Sequence, residues 1–121
     1  MKILIVDDTR LSRLMINKRL PADIKETASI IEGTNGEEAV TLFIEHSPDI
    51  TFLDLTMPVM DGFDALALMK AHNREAVIYV VTADVQAKSV ERVMSLGATA
   101  LETKPISEER LSDIFSSLKK L

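Results

Sequence analysis

Short apolar runs recur along this chain, and segments with helical spacing separate them. The clearest runs are Lys2–Val6, Ile50–Leu53 and Ala76–Val81. Nearly continuous apolar runs rich in β-branched residues are typical of strands buried on both faces, as in parallel sheets covered by helices. Right-handed crossovers then restrict the topology to a doubly wound α/β sheet. The alternation predicts five strands, each followed by a helix.

Turn and capping residues predict the remaining boundaries. Weaker strands are expected around residues 27–32 and 98–101. A first helix should stop near Pro21, and a second should begin at Asn35, where Glu38 three residues later resembles a capping box. Gly97 should close the fourth helix and Ser107 should cap the last one.

Composition limits what such a fold can do. The chain has 121 residues, of which 46% are apolar, so we expect a single domain over residues 1–121. A net charge of −5 argues against a general nucleic-acid binder, and the lack of cysteine excludes disulfides and thiolate metal sites. The apolar runs are too short to span a bilayer, and residues after Lys2 show no signal-peptide pattern. We therefore expect a soluble cytoplasmic domain.

Polar side chains stand at the carboxyl ends of four predicted strands. They are Asp7 and Asp8, Asp54, Thr82 and Lys104. Each has a plain structural explanation: an aspartate or threonine can begin a helix, and a lysine before proline can be solvated surface. Asp54 alone is ambiguous, because an acid directly after a buried strand lies either in solvent or in a site that needs it.

The same residues considered together favour a site. The carboxyl ends of parallel strands meet at one edge of a doubly wound sheet, where such folds bind their ligands. Three adjacent carboxylates repel one another and favour a hard cation, and magnesium fits their oxygen ligands best. A metal beside a hydroxyl and an ammonium group could hold a phosphoryl group, and an aspartate can accept one as an acyl phosphate.

Five segments carry a family resemblance. They are LIVDD at residues 4–8, NGEEA at 35–39, PDITFLDLTMPVMDG at 48–62, VVTAD at 80–84 and the Lys104-Pro105 pair. In this order and at these spacings, the chain resembles a response-regulator receiver domain, close to the stand-alone, CheY-like chemotaxis receivers. The resemblance implies a flavodoxin-like (βα)5 sheet with strand order 2-1-3-4-5.

The resemblance also implies a role for each matching position. Asp54 would be the phosphoacceptor. Mg2+ would be bound directly by Asp8, Asp54 and the backbone carbonyl of Thr56, and by Asp7 through water. Phosphoryl binding and switching would involve Thr82, the small Ala83 and Lys104. The bond preceding Pro105 is expected to be cis. Leu101 occupies a switch position that is aromatic in many receivers, so the aromatic part of the switch is missing here.

The implied function is that of a two-component signalling module. A histidine kinase or histidine phosphotransfer protein would donate the phosphoryl group, and a downstream protein would bind the switched surface. The module would catalyse its own phosphorylation and dephosphorylation, and homodimer formation stays open. Arg10, Arg13 and Leu14 on the first helix are candidate contacts for the phosphodonor, because that helix flanks the acidic site.

Two other functions are compatible with an α/β sheet. An aspartate-nucleophile phosphatase would need a second acid two residues after Asp54, where this chain has Thr56. A nucleotide or flavin binder would need a glycine-rich turn after the first strand, where this chain has two acids. The residues at these two places fit neither alternative, and so they favour the receiver.

Overall fold

The computed structural model describes residues 1–119, which form five parallel strands and six helices. The strands are β1 (Lys2–Val6), β2 (Ser29–Gly33), β3 (Ile50–Leu53), β4 (Ile78–Thr82) and β5 (Ala100–Thr103). The helices are α1 (Arg10–Arg19), α2 (Ala22–Thr27), α3 (Gly36–His46), α4 (Gly62–His72), α5 (Ala87–Ser95) and α6 (Glu108–Lys119). The last two residues of the predicted domain, 120 and 121, lie outside the described residues.

The strands form one sheet in the order β2-β1-β3-β4-β5, which confirms the predicted doubly wound, flavodoxin-like topology. All four strand pairs are parallel, and β1 and β3 lie side by side at the centre. In the register of that central pair, Val6 lies opposite Leu53. The residues that follow these two positions, Asp7 and Asp54, therefore leave the sheet at the same edge.

Helices cover both faces of the sheet. One face packs against α1, α2 and α6, and its buried residues include Ile5, Phe52 and Phe115. The other face packs against α3, α4 and α5, and its buried residues include Leu53 and Met69. Burial on both faces explains why β1, β3 and β4 are nearly continuous apolar runs in the sequence.

The structure differs from the sequence prediction between the first two strands and at the starts of three strands: β2 begins at Ser29 rather than residue 27, β4 begins at Ile78 rather than Ala76, and β5 also begins later. A short helix, α2, follows Pro21 and buries only Ile24. A single buried residue gives no apolar periodicity, so the sequence did not reveal this helix. The fifth strand begins at Ala100 rather than residue 98. The reason is that the Ala98 N–H bonds the Val93 carbonyl at 3.0 Å and so helps to close the end of α5.

Among the residues described, no helix is long and apolar enough to cross a membrane.

Candidate functional site

The backbone ladder of the sheet extends into the candidate site. The Asp7 N–H bonds the Gly33 carbonyl at 3.1 Å, and the Asp54 N–H bonds the Val6 carbonyl at 3.0 Å. On the other side, the Lys104 N–H bonds the Thr82 carbonyl at 2.9 Å. These bonds continue the main-chain hydrogen bonding of the sheet to the residues just past the strands.

Three carboxylates meet at this edge. One ligand oxygen from each of Asp7, Asp8 and Asp54 lies within 4.8 Å of the other two. Asp7 and Asp54 are 1% and 6% exposed, whereas Asp8 faces solvent. A cluster of oxygen ligands with one solvent-facing member suits a divalent cation that retains some of its waters, as Mg2+ does.

Lys104 joins the two buried acids. Its Nζ lies 2.5 Å from Asp7 Oδ2 and 3.2 Å from Asp54 Oδ2. Burial opposes the charged form of this lysine, but its hydrogen bond to Asp7 and the nearby charge of Asp54 outweigh burial and raise its pKa. The ammonium group is therefore fully charged at neutral pH and offsets part of the acidic charge around it.

Asp54 is the less well stabilised acid. Burial raises the pKa of its carboxyl; the Lys104 charge lowers that pKa, and the Asp7 charge adds to the rise. Its Oδ1 accepts a hydrogen bond from the Leu55 N–H at 2.8 Å, and its Oδ2 is the oxygen nearest Lys104. The positive charge of Lys104 thus offsets only part of the cost of burying the ionised Asp54.

Thr82 connects the site to helix α5. Its side chain is buried, and its Oγ1 accepts a hydrogen bond from the Asp84 N–H at 3.1 Å. The Asp84 carboxylate in turn accepts bonds from the Ser89 hydroxyl at 2.6 Å and the Gln86 N–H at 3.1 Å. The hydrogen bond from Ser89 lowers the pKa of Asp84, so the carboxylate that links Thr82 to α5 carries a negative charge.

Comparisons with known proteins identify the family of the chain. The model of the response regulator receiver domain matches residues 3–116. The chain belongs to the response regulator receiver family. It is 37% identical over 110 residues to chemotaxis protein CheY of Bacillus subtilis (strain 168), covering 91% of this chain and 90% of that protein.

Further relatives agree with this receiver assignment. Chemotaxis protein CheY of Listeria monocytogenes is 36% identical over 120 residues, covering 99% of both chains. The CheX-CheY-BeF3-Mg+2 complex from Borrelia burgdorferi contains a chain that matches this fold with a TM-score of 0.87 and 27% identity, covering 98% of this chain and 89% of that chain. A CheY-like receiver domain of two-component signalling is therefore shown, and receivers of this family bind Mg2+ at an acidic pocket.

One prediction about this receiver is wrong. The sequence interpretation described a module that catalyses its own phosphorylation and dephosphorylation. The family model and the CheY relatives identify a response regulator receiver, and nothing in them shows enzymatic activity.

The other predicted site residues of the receiver lie outside the acidic cluster. Thr56 and Ala83 are exposed, and the Lys104-Pro105 peptide bond is cis. Leu101 is half-buried and packs against the α3–α4–α5 side of the core. The structure thus brings together Asp7, Asp8, Asp54 and Lys104, with Thr82 on the adjacent strand.

Sequence analysis missed two contributors to the receiver's site. Ser89 is tied to Asp84, and its position in the first turn of a helix gave no signal in the sequence. Arg13 was predicted only as a candidate contact for the phosphodonor, and its bond to the loop that carries the acids was not foreseen; its side chain is 12% exposed and donates to the Asp7 carbonyl. Both bonds depend on loop geometry that residue spacing does not reveal.

The loop between β3 and α4 is held by close backbone contacts. The Gly62 N–H bonds the Leu55 carbonyl at 2.8 Å, and the Gly36 N–H at the start of α3 bonds the Met60 carbonyl at 3.0 Å. Between them, Val59 adopts a left-handed conformation with φ of 68° and is 77% exposed. A β-branched residue in this region is strained.

Replacing Val59 by Gly should stabilise the receiver by about 1 kcal/mol, because glycine adopts positive φ without a steric cost. Little apolar burial is lost, since most of the valine is exposed. Urea denaturation checks the change in free energy of unfolding. Val85→Gly is the matched control: Val85 is 54% exposed without a positive φ, so glycine there should destabilise. Equal effects at both positions would show that strain at Val59 is not the cause.

Proposed function

We propose that Asp54 accepts a phosphoryl group, in the presence of Mg2+, from a histidine kinase or histidine phosphotransfer protein. The phosphorylated receiver, taken as residues 1–121, then binds a downstream protein target through a changed surface. The observation that carries this proposal is the position of Asp54: a buried carboxylate of raised pKa between Lys104 and two further acids.

The chain's oxygen ligands fit a magnesium ion. Asp7, Asp8 and Asp54 offer three convergent carboxylates, two of them buried at the strand ends, and the Thr56 carbonyl is proposed as a fourth ligand. When bound, the ion would neutralise the charge that develops on the phosphoryl oxygens. Lys104 contributes a second positive charge 3.2 Å from Asp54 Oδ2.

The proposed transfer uses an oxygen of Asp54 as the nucleophile. A new O–P bond forms to the carboxylate, and the N–P bond of the donor phosphohistidine breaks. The electron pair of the broken bond stays on the imidazole nitrogen of the donor, and Asp54 becomes an acyl phosphate.

The proposed response begins at Thr82 and Lys104. Among residues 1–119 the Thr82 hydroxyl accepts a hydrogen bond but donates none, so its proton is free for a phosphoryl oxygen. Ala83 leaves space beside it. A phosphoryl group adds close to two negative charges and three acceptor oxygens, which would draw Thr82 and Lys104 towards Asp54. This movement would reach α5 through the hydrogen bond between Asp84 and Ser89. The switch position that is aromatic in many receivers is Leu101 here, so no aromatic ring would move with it.

A labelling experiment tests the proposal. Receiver is incubated with Mg2+ and a radiolabelled phosphorylated histidine kinase, and acid-stable, base-labile label on the receiver is counted. We expect label in the wild type and in Asp61→Asn, and none in Asp54→Asn. Asp61 is a suitable control because it is exposed and caps α4, a role that asparagine fills equally well. Full labelling of Asp54→Asn would refute the assignment.

A further inference from the structure

Arg13 links two elements next to the acidic cluster. Its Nη1 donates to the backbone carbonyl of Asp7 at 2.7 Å, and its Nε donates to Glu32 Oε1 on β2 at 3.0 Å. Of the guanidinium-bearing side chain only 12% is exposed, whereas Glu32 is about half exposed. Arg13 therefore spans from the edge strand to the loop that carries Asp7 and Asp8.

The Asp7 carbonyl belongs to the peptide unit that joins Asp7 to Asp8. A charge-assisted hydrogen bond to that oxygen fixes the orientation of the peptide plane. On the other side, the Thr9 N–H and hydroxyl both bond Asp7 Oδ1, at 2.9 and 3.2 Å. The main chain on either side of Asp8 is thus held, although no hydrogen bond to the Asp8 side chain itself is present in the described residues.

We propose that Arg13 is a positioning residue for the metal-binding acids, acting through the Asp7 carbonyl to set the direction of the Asp8 carboxylate. This inference rests on the proposed function, in which those acids bind Mg2+. Residues that hydrogen-bond to metal ligands without touching the metal set the orientation of those ligands, and their loss typically weakens metal binding ten- to a hundredfold.

The charge of Arg13 and its proposed positioning role predict opposite changes in Mg2+ affinity when the residue is removed. Its positive charge lies near a cation site and by itself opposes Mg2+ binding, so removing it should tighten binding if electrostatics alone mattered. Loss of positioning has the opposite sign. The direction of the change in Mg2+ affinity therefore separates the two explanations.

The experiment titrates the full chain with Mg2+ alone and follows backbone amide signals by NMR. We expect Arg13→Ala to raise the dissociation constant for Mg2+ roughly tenfold. Arg13→Lys, which keeps the charge but can reach only one of the two partners, should fall between Arg13→Ala and the wild type. Arg10→Ala is the matched control: it removes the same charge from the same helix, and Arg10 is exposed with no bond in the described residues. It should bind Mg2+ as tightly as the wild type or more tightly.

Other outcomes are equally decisive. A dissociation constant for Arg13→Ala that equals or falls below that of the wild type overturns the positioning role. Should Arg13→Ala fail to fold, Arg13→Lys decides, because a wild-type affinity there also overturns it. Asp8→Asn separates this inference from the proposed function. If the wild type binds no Mg2+, or Asp8→Asn binds it as well as the wild type, the metal site and the inference both fail.

Discussion

Substituting Gly62 by Ala should cost the receiver about 3 kcal/mol or more of its free energy of unfolding, a large share of the stability of a small domain. A Cβ at this position would lie 2.1 Å from the Asp54 carbonyl oxygen and 2.6 Å from the Leu55 Cα. Both are backbone atoms at the end of the central strand, so they cannot rotate away as a side chain could. Chemical denaturation of the purified variant measures the loss.

The control for this prediction is Gly33→Ala at the end of β2. A Cβ there would meet Leu42 Cδ1 at 3.4 Å and Val6 Cγ2 at 3.5 Å, which are ordinary contacts with side chains. Its effect should stay within about 1 kcal/mol. A Gly62→Ala variant as stable as Gly33→Ala would mean that the loop between β3 and α4 can move away from Asp54. Such a loop would not hold Asp54 rigidly.

The sheet was predictable because burial on both faces leaves a direct trace in the sequence. The runs at Lys2–Val6 and Ile50–Leu53 match β1 and β3 to the residue. Helix α2 left no such trace, since it is six residues long and buries only Ile24. The start of β5 was misplaced because the residues after Gly97 close α5 through backbone bonds, which apolar character does not encode.

The acidic cluster was predictable for a topological reason. Parallel strands with neighbouring carboxyl ends bring the residues after them together, so Asp7, Asp8 and Asp54 had to meet once the strand order was known. Lys104 follows the edge strand β5 and reaches the acids only by its long side chain. The roles of Arg13 and Ser89 depend on hydrogen bonds to a loop carbonyl and a loop carboxylate, and spacing along the chain specifies neither.

Replacing Lys104 by Met should destabilise the receiver by about 3 kcal/mol at pH 7 without Mg2+. Methionine fills a similar volume but leaves Asp7 and Asp54, 1% and 6% exposed, without their shared cation. The free energy of unfolding, measured by urea denaturation, gives the loss. Lys18→Met on α1 is the control, because Lys18 is exposed and makes no bond in the described residues; its effect should stay within about 0.5 kcal/mol.

The pH dependence of Lys104→Met identifies the cause of the loss. Burial already raises the pKa of Asp54 above its unfolded value, and removing the lysine charge, which lowers that pKa, should raise it further. The folded variant then binds more protons than the unfolded chain between the two pKa values, so its stability increases as pH falls through the folded pKa. The deficit against the wild type should therefore shrink as the pH falls from 7 towards the raised pKa of Asp54. Asp54→Asn in the Lys104→Met background should recover part of it at pH 7, while Asp7 stays without its partner.

Magnesium should act on the same deficit. A cation bound to the three acids replaces part of the charge that Lys104 supplies, so Mg2+ should stabilise Lys104→Met more than it stabilises the wild type. A deficit that is unchanged by pH, by Mg2+ and by Asp54→Asn would instead reflect lost packing of the lysine side chain. In that case Lys104 would not be the counter-ion that keeps Asp54 ionised, and a phosphoryl group added at Asp54 would not draw it away from Asp7.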